Sequence, residues 1–311
     1  MTCCYLIQSH SDPEQVLRLV RTVKRSSPEA LALVVHDGRT VELDPGPFRE
    51  IPGVEVLVRR DRVARGEWSV LSPLLAGLEE LVGGRGGRPR WSFDWLVYLS
   101  GQDYPVRPLP DFEAELATTR YDGFLAWWDV LGKESPWKPR QGQSRYYPQY
   151  RRFPEGARGL LRTVRFLGKV SPLRFHFTYG PFVGWQSRHT PFEGPVRCYG
   201  GWQWWTLSRP CVEHLWQAIS SEDRLVRWFH RTVAPCESMV QTVLVNSGRF
   251  ELCPDNRRFT DFAGSRDGRP RTLTRDDLPR FAAGRFDFAR KFEMARDPEL
   301  LDLIDSQVLG L

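Results

Sequence analysis

Glu237 is the residue in this chain best placed for proton chemistry. It follows Ala234-Pro235-Cys236, a turn that opens a helical pattern running to Asn246, and the positive end of a helix dipole favours an ionised carboxylate. Such a carboxylate can take the proton of a hydroxyl as that hydroxyl attacks. The plainer reading of a glutamate at a helix start is a cap or a dipole partner, so its company decides. Gln203 to Ser208 places Trp204 and Trp205 side by side, as a platform for the C–H faces of a sugar or as core anchors. Phe288-Ala289-Arg290-Lys291-Phe292 sets two cations between aromatic rings. Alone this is a surface turn; beside a base, fixed cations can stabilise an anion as it leaves.

These residues need a scaffold, and the first half of the chain supplies one. Short apolar runs alternate with helical patterns, which predicts an α/β fold with a mostly parallel central sheet flanked by helices. Strands are expected at Cys4 to Ile7, Leu31 to Val35, Val54 to Val58 and Trp95 to Leu99. Asp12-Pro13-Glu14 begins a helix whose apolar side is Val16, Leu17, Leu19 and Val20. Ser69 to Val82 reads as a second helix. Ligands of such sheets gather at the carboxyl ends of the strands. His36, Asp37, Gln102 and Asp103 all fall at such ends, His36 with a structural role as its plainer reading. The whole chain, 1–311, reads as one domain in two halves, 1–110 and 111–311.

In the second half, Gly201 to Arg209 reads as a strand, Pro210 to Ala218 as a helix, and the tail from Asp276 as largely helical. Between Lys138 and Arg174 there are ten basic residues against one acid, Glu155, with Tyr146, Tyr147 and Tyr150 interleaved. Leu160, Leu161, Val164 and Leu167 give this stretch an apolar face. A solvated basic helix capping the core is one reading; contact with a membrane surface through 155–170 or with an anionic acceptor is the other.

Composition removes several classes of function. The chain has 44 basic and 38 acidic residues, a net charge of +6, which suits an anionic ligand without requiring nucleic acid. No nucleic-acid recognition motif accompanies the charge. Six cysteines form no C-x-x-C pair, so neither a zinc site nor a disulfide framework is expected. There is no G-x-S-x-G elbow and no H-E-x-x-H pair. The glycine-rich stretch from Gly83 to Pro89 lacks the Lys-Ser/Thr ending of a phosphate-binding loop and reads as an exposed loop. With no signal-like start and no apolar run of membrane length, the expectation is a cytoplasmic protein.

Eight stretches carry a resemblance: CYLIQSH (4–10), VVHDG (34–38), EWSVLSPLLAGL (67–78), VYLSGQDYPV (97–106), GGWQWWTLSR (200–209), PCESMVQTVLVNS (235–247), RPRTLT (269–274) and DFARKFE (287–293). In this order, across nearly the whole chain, they resemble the core-2/I-branching family of glycosyltransferases, which includes the peptide O-xylosyltransferases, in the form of a bacterial-type soluble member. The resemblance implies a GT-A-type nucleotide-diphospho-sugar transferase fold and inversion at the anomeric carbon. It implies that Gln8 and Asp37 hold the uridine of a UDP-sugar, that Glu237 is the catalytic base, and that Arg269, or Arg271 beside it, and Lys291 grip the diphosphate in place of a metal. Asp103 is read with the donor site. Glu134 and Arg145 fall where acceptor contacts lie, and Trp204 and Trp205 are read with them.

No metal or other cofactor is expected. The strand end that would carry an Asp-x-Asp manganese site holds Ser100-Gly101-Gln102-Asp103, and one carboxylate is a poor site for a hard divalent ion. Cys236 stands where the family has an aspartate, which removes a second negative charge beside Glu237 and should lower its pKa slightly. The expected function is transfer of a sugar, GlcNAc or xylose, from UDP to a hydroxyl of a saccharide, peptide or small molecule. A catalytically degenerate protein that binds sugar nucleotides or glycans is the alternative.

Overall fold

A computed structural model describes residues 1–84, 91–265 and 268–311, so most of the glycine-rich stretch 83–89 lies outside the described residues. Four parallel strands form the frame: β1 (Cys3–Ser9), β2 (Leu31–Asp37), β3 (Val54–Arg59) and β4 (Trp95–Ser100). They lie side by side in the order β4-β1-β2-β3. Three short strands extend the sheet beyond β4: Thr206–Ser208, then Gly123–Phe124, then Leu252–Cys253. Of the seven, only Thr206–Ser208 runs against the others. The mixed α/β layering with a mostly parallel sheet is therefore as the alternating pattern predicted.

Side chains alternate across a strand, and the two faces of the sheet bury two different sets. Tyr5, Ile7, Ala32 and Val34 face the helix Pro13–Ser26, through Val16, Leu19, Val20 and Val23, and the C-terminal Leu300, Leu301 and Ile304. Asp12 caps that helix by accepting from the Gln15 backbone N–H, at the position where Asp-Pro-Glu predicted the start. Cys4, Leu6, Leu33, Val35 and Tyr98 face the helices Ser72–Leu78, Arg209–Ser220 and Met239–Ser247. Gly77 lets the first of these lie on β1, since a Cβ there would stand 2.5 Å from Leu6. All six cysteines are free thiols. No helix among the described residues is long and apolar enough to cross a membrane.

Several expectations need correction. Gly201 to Arg209 is not one strand: Tyr199–Gly201 pairs with Trp127–Asp129, Thr206–Ser208 joins the central sheet, and residues 202–205 cross between the two. The Ser69–Val82 helix has a 3-10 first turn and a π last turn around a short α segment. The tail is helical at 275–283 and 298–308, but between them lies a strand that was not expected, Phe288–Arg290, set between Arg258–Thr260 and Asp103–Pro105. Finally, 158–169 does not cap the core. No residue from Arg151 to Tyr179 is buried, and the segment stands out on a three-stranded sheet of Pro148–Arg152, Phe182–Gln186 and Leu173–His176.

Candidate active site

The carboxyl ends of β1, β2 and β4 open onto a cavity of about 690 Å³. Gln8, Asp37, Arg145, Trp204, Glu237, Arg269 and Lys291 all line it. The sheet register explains the first wall: Gln8 sits opposite Val35 on one side and Ser100 on the other, so the three strand ends finish together. Tyr98 and Gln203 both donate to the Gln8 side-chain oxygen, which leaves the Gln8 amide as a donor. Asp37 turns the chain after β2 by accepting from the Arg39 backbone N–H at 3.0 Å.

The second wall comes from the far end of the chain. Phe288–Arg290 pairs antiparallel with Asp103–Pro105, with Arg290 opposite Asp103, and the Phe292 N–H donates to the Gln102 carbonyl at 2.8 Å. That pairing carries Arg290 and Lys291 to the strand ends. The buried Gln15 side chain reinforces it, donating to both the Gly101 and Phe292 carbonyls. The Leu273 N–H donates to the Lys291 carbonyl at 2.9 Å, which draws the 269–274 segment alongside. Arg269 thus lines the cavity, whereas Arg271 is bound to Asp261 and Asp277 and does not. Of the two alternatives, Arg269 is the one on the cavity wall. Lys291 itself pairs with Glu293 at 2.6 Å.

Glu237 closes the third side. It ends a 3-10 turn, Pro235–Glu237, two residues ahead of the helix that starts at Met239. Ala234 before it is held in the left-handed region at φ 55°, a conformation that costs an L-residue roughly 1–2 kcal/mol. The Ala234 N–H donates to the Gly66 carbonyl at 3.0 Å. Gly66, at φ +86°, must be glycine, because a Cβ there would meet Tyr179 at 2.5 Å. Arg145 donates from Nη1 to Glu237 Oε2 at 2.8 Å, while its guanidinium lies 4.8 Å over the Trp137 ring. Burial raises the pKa of Glu237, and the nearby Arg145 and Arg65 oppose that rise without cancelling it. The net direction is upward from the ordinary carboxylate value.

Three expected site residues lie elsewhere. Asp103 is buried and accepts from the Ser100 N–H and hydroxyl, with Arg290 at 3.2 Å. Its carboxylate holds the strand-end turn together and does not line the cavity. Trp205 is fully buried against Tyr98 on the sheet; the crossing at 202–205 turns Trp204 to the cavity and Trp205 to the core. Glu134 is exposed and outside the cavity lining. His36 is fully buried, bonded to Ser9 and Val41, in keeping with its structural reading.

The structure adds further residues to the site, some inside the quoted motifs and some outside them. Arg65 and Tyr179 stack at 4.9 Å beside Glu237's wall. Trp202 and Phe262 stack with centroids 5.4 Å apart, and Arg290 lies 4.5 Å over Trp204. The last was legible in part, since Arg290 adjoins Lys291 in the sequence. Arg65 and Tyr179 come from loops with no periodicity to mark them. Among the described residues, no three His, Cys, Asp or Glu side chains converge to hold a metal ion.

No protein-family model matches the chain. Individual proteins do. It is similar to xylosyltransferase 2 of Rattus norvegicus, 25% identical over 295 residues, covering 85% of this chain and 29% of that protein. It is also similar to a beta-glucuronosyltransferase of Arabidopsis thaliana, 23% identical over 266 residues, covering 84% of this chain and 54% of that protein. The chain thus spans under a third of the animal relative and about half of the plant one. Among solved structures, mouse xyloside xylosyltransferase 1 is similar at a TM-score of 0.37 and 10% identity, over 93% of this chain and 97% of that chain. That likeness is too slight to carry an argument.

Proposed function

We propose that this protein is an inverting glycosyltransferase of GT-A type that moves a sugar from a UDP-sugar to an acceptor hydroxyl without a metal ion. The observation that carries the reading is the single cavity shared by Glu237, Arg269, Arg290, Lys291, Gln8 and Asp37. A base on one wall and a cluster of cations on another answer the two electrostatic demands of the reaction. The similarity to sugar transferases over 84–85% of the chain supports the same reading.

In this mechanism Gln8 and Asp37 bind the uridine at the strand ends. The acceptor oxygen attacks the anomeric carbon from the face opposite the diphosphate. Its proton passes to Glu237 Oε1, Oε2 being held by Arg145. The bond to the diphosphate oxygen breaks with its electron pair, and the new negative charge falls on UDP. Arg269 and Lys291 hold that charge, and Lys291 exchanges Glu293 for a phosphate oxygen. The raised pKa of Glu237 suits the task, since a stronger base accepts the proton more readily. Asp103, the carboxylate nearest the manganese position of other GT-A enzymes, is consumed by Ser100 and Arg290, which supports metal independence. Trp202, Trp204 and Phe262 offer aromatic faces to sugar rings.

UDP release from a panel of UDP-sugars, UDP-GlcNAc and UDP-xylose first, tests the reading. Turnover that survives EDTA and disappears in Glu237→Gln is the expected result. Activity lost in EDTA and restored by manganese overturns the metal-free mechanism. One observation favours a second reading, a protein that binds sugar nucleotides without turnover: the Arg145–Glu237 ion pair can neutralise the base. Tight UDP binding with no UDP release from any donor would decide for it.

A further inference from the structure

The segment 151–176 has seven basic residues and one acid. It therefore carries the entire net charge of +6, and the rest of the chain sums to neutral. It also carries apolar side chains that nothing covers. Among the described residues ten large hydrophobic side chains are exposed, and the four most exposed are Val170 at 81%, Leu160 at 69%, Phe166 at 58% and Trp185 at 56%. The first three lie between residues 158 and 170, where Arg158, Arg162, Arg165 and Lys169 are interleaved with them. Trp185 stands opposite Leu173 in the sheet that supports the segment.

We infer that this arm is a docking surface for an anionic lipid bilayer. Each half of the pattern needs the other. A solvated basic face has no reason to expose valine, leucine and phenylalanine, because apolar area left in water is unfavourable. A protein-binding apolar patch has no need of every unbalanced positive charge in the chain. Anionic headgroups attract the arginines and the lysine while the acyl boundary takes up the apolar side chains between them. A nucleic acid would satisfy the charge alone, since aliphatic side chains gain little from a phosphate backbone. Not all the cations are equally available. Arg158 is engaged with Glu155 and the Phe177 carbonyl, and Arg174 with three backbone carbonyls. Arg162 lies over the Phe177 ring. Arg165 and Lys169 are exposed and are the cations to reverse. The inference is independent of the sugar chemistry.

Flotation of the full chain with vesicles tests it. The protein is expected to float with phosphatidylcholine vesicles containing phosphatidylglycerol, to stay behind with phosphatidylcholine alone, and to be released by salt. Two double variants separate the two halves of the pattern: Leu160→Ser with Phe166→Ser, and Arg165→Glu with Lys169→Glu. Each is expected to weaken vesicle binding by about ten-fold or more with the thermal midpoint unchanged, because none of the four side chains is buried. No flotation of the wild type with anionic vesicles overturns the inference. So does flotation that both variants retain. Binding to an oligonucleotide or an acidic protein that depends on Arg165 and Lys169 alone, with no vesicle binding, also overturns it and names the other partner.

Discussion

The cavity wall and the arm at 151–176 both concentrate charge, but they hold it in opposite ways. In the wall, three cations are fitted into packed surroundings: Arg145 lies between Glu237 and the Trp137 ring, Arg290 between Asp103 and Trp204, and Lys291 against Glu293. In the arm, Arg162, Arg165 and Lys169 stand in solvent beside exposed apolar side chains, and no residue is buried. Fixed and partly desolvated charge acts at short range, where reacting atoms develop charge. Solvated charge of one sign acts at long range and is screened by salt. On the readings proposed above, one region serves chemistry and the other attraction.

The contrast can be broken at its strongest point first. Glu237→Gln is expected to lower kcat by on the order of 10²–10⁴-fold while the Kd for UDP stays close to wild type. Equal rates for variant and wild type would move the base elsewhere. Next in size is stability. Leu74→Ala, in the helix buried on the sheet beside the cavity, should cost about 2–5 kcal/mol in chemical denaturation. Leu160→Ala in the arm should stay within about 0.5 kcal/mol. If the two cost the same, the arm has a core after all. Lys291→Ala removes a proposed charged partner of the diphosphate, and calorimetry should find UDP bound about 1.5–3 kcal/mol more weakly.

The smallest effect is a shift along the pH axis. Because burial raises the pKa of Glu237, its basic form is lost as pH falls through a value above the ordinary carboxylate range. The acid limb of kcat/KM should lie correspondingly high. Arg145→Met removes the largest influence opposing that rise and should move the limb higher still. A limb that stays in place would detach Glu237 from the profile.

Much of the frame was legible. The strand periods, the Asp-Pro-Glu helix start and the strand-end placement of Asp37 follow from local rules that the neighbouring residues satisfy on their own. Glu237 and Lys291 were legible as motif residues. Asp103 and Trp205 were misjudged for one reason: a residue's side of a strand end or crossing depends on pairing with distant chain. Asp103 is held by Arg290, and Trp205 is turned inward where 202–205 crosses between sheets. Arg65 and Tyr179 left no local mark at all.

Residue types and their periods alone determined that this chain folds as alternating strands and helices, and that it owns a helix-start carboxylate and cations able to meet an anion. Those are properties of neighbours a few residues apart. Which of these groups face one another was decided only in three dimensions, where Arg290 comes opposite Asp103 across 187 residues of chain and Arg145 reaches Glu237 across 92. No local pattern specifies such contacts, because their geometry depends on how the sheets and helices between them pack.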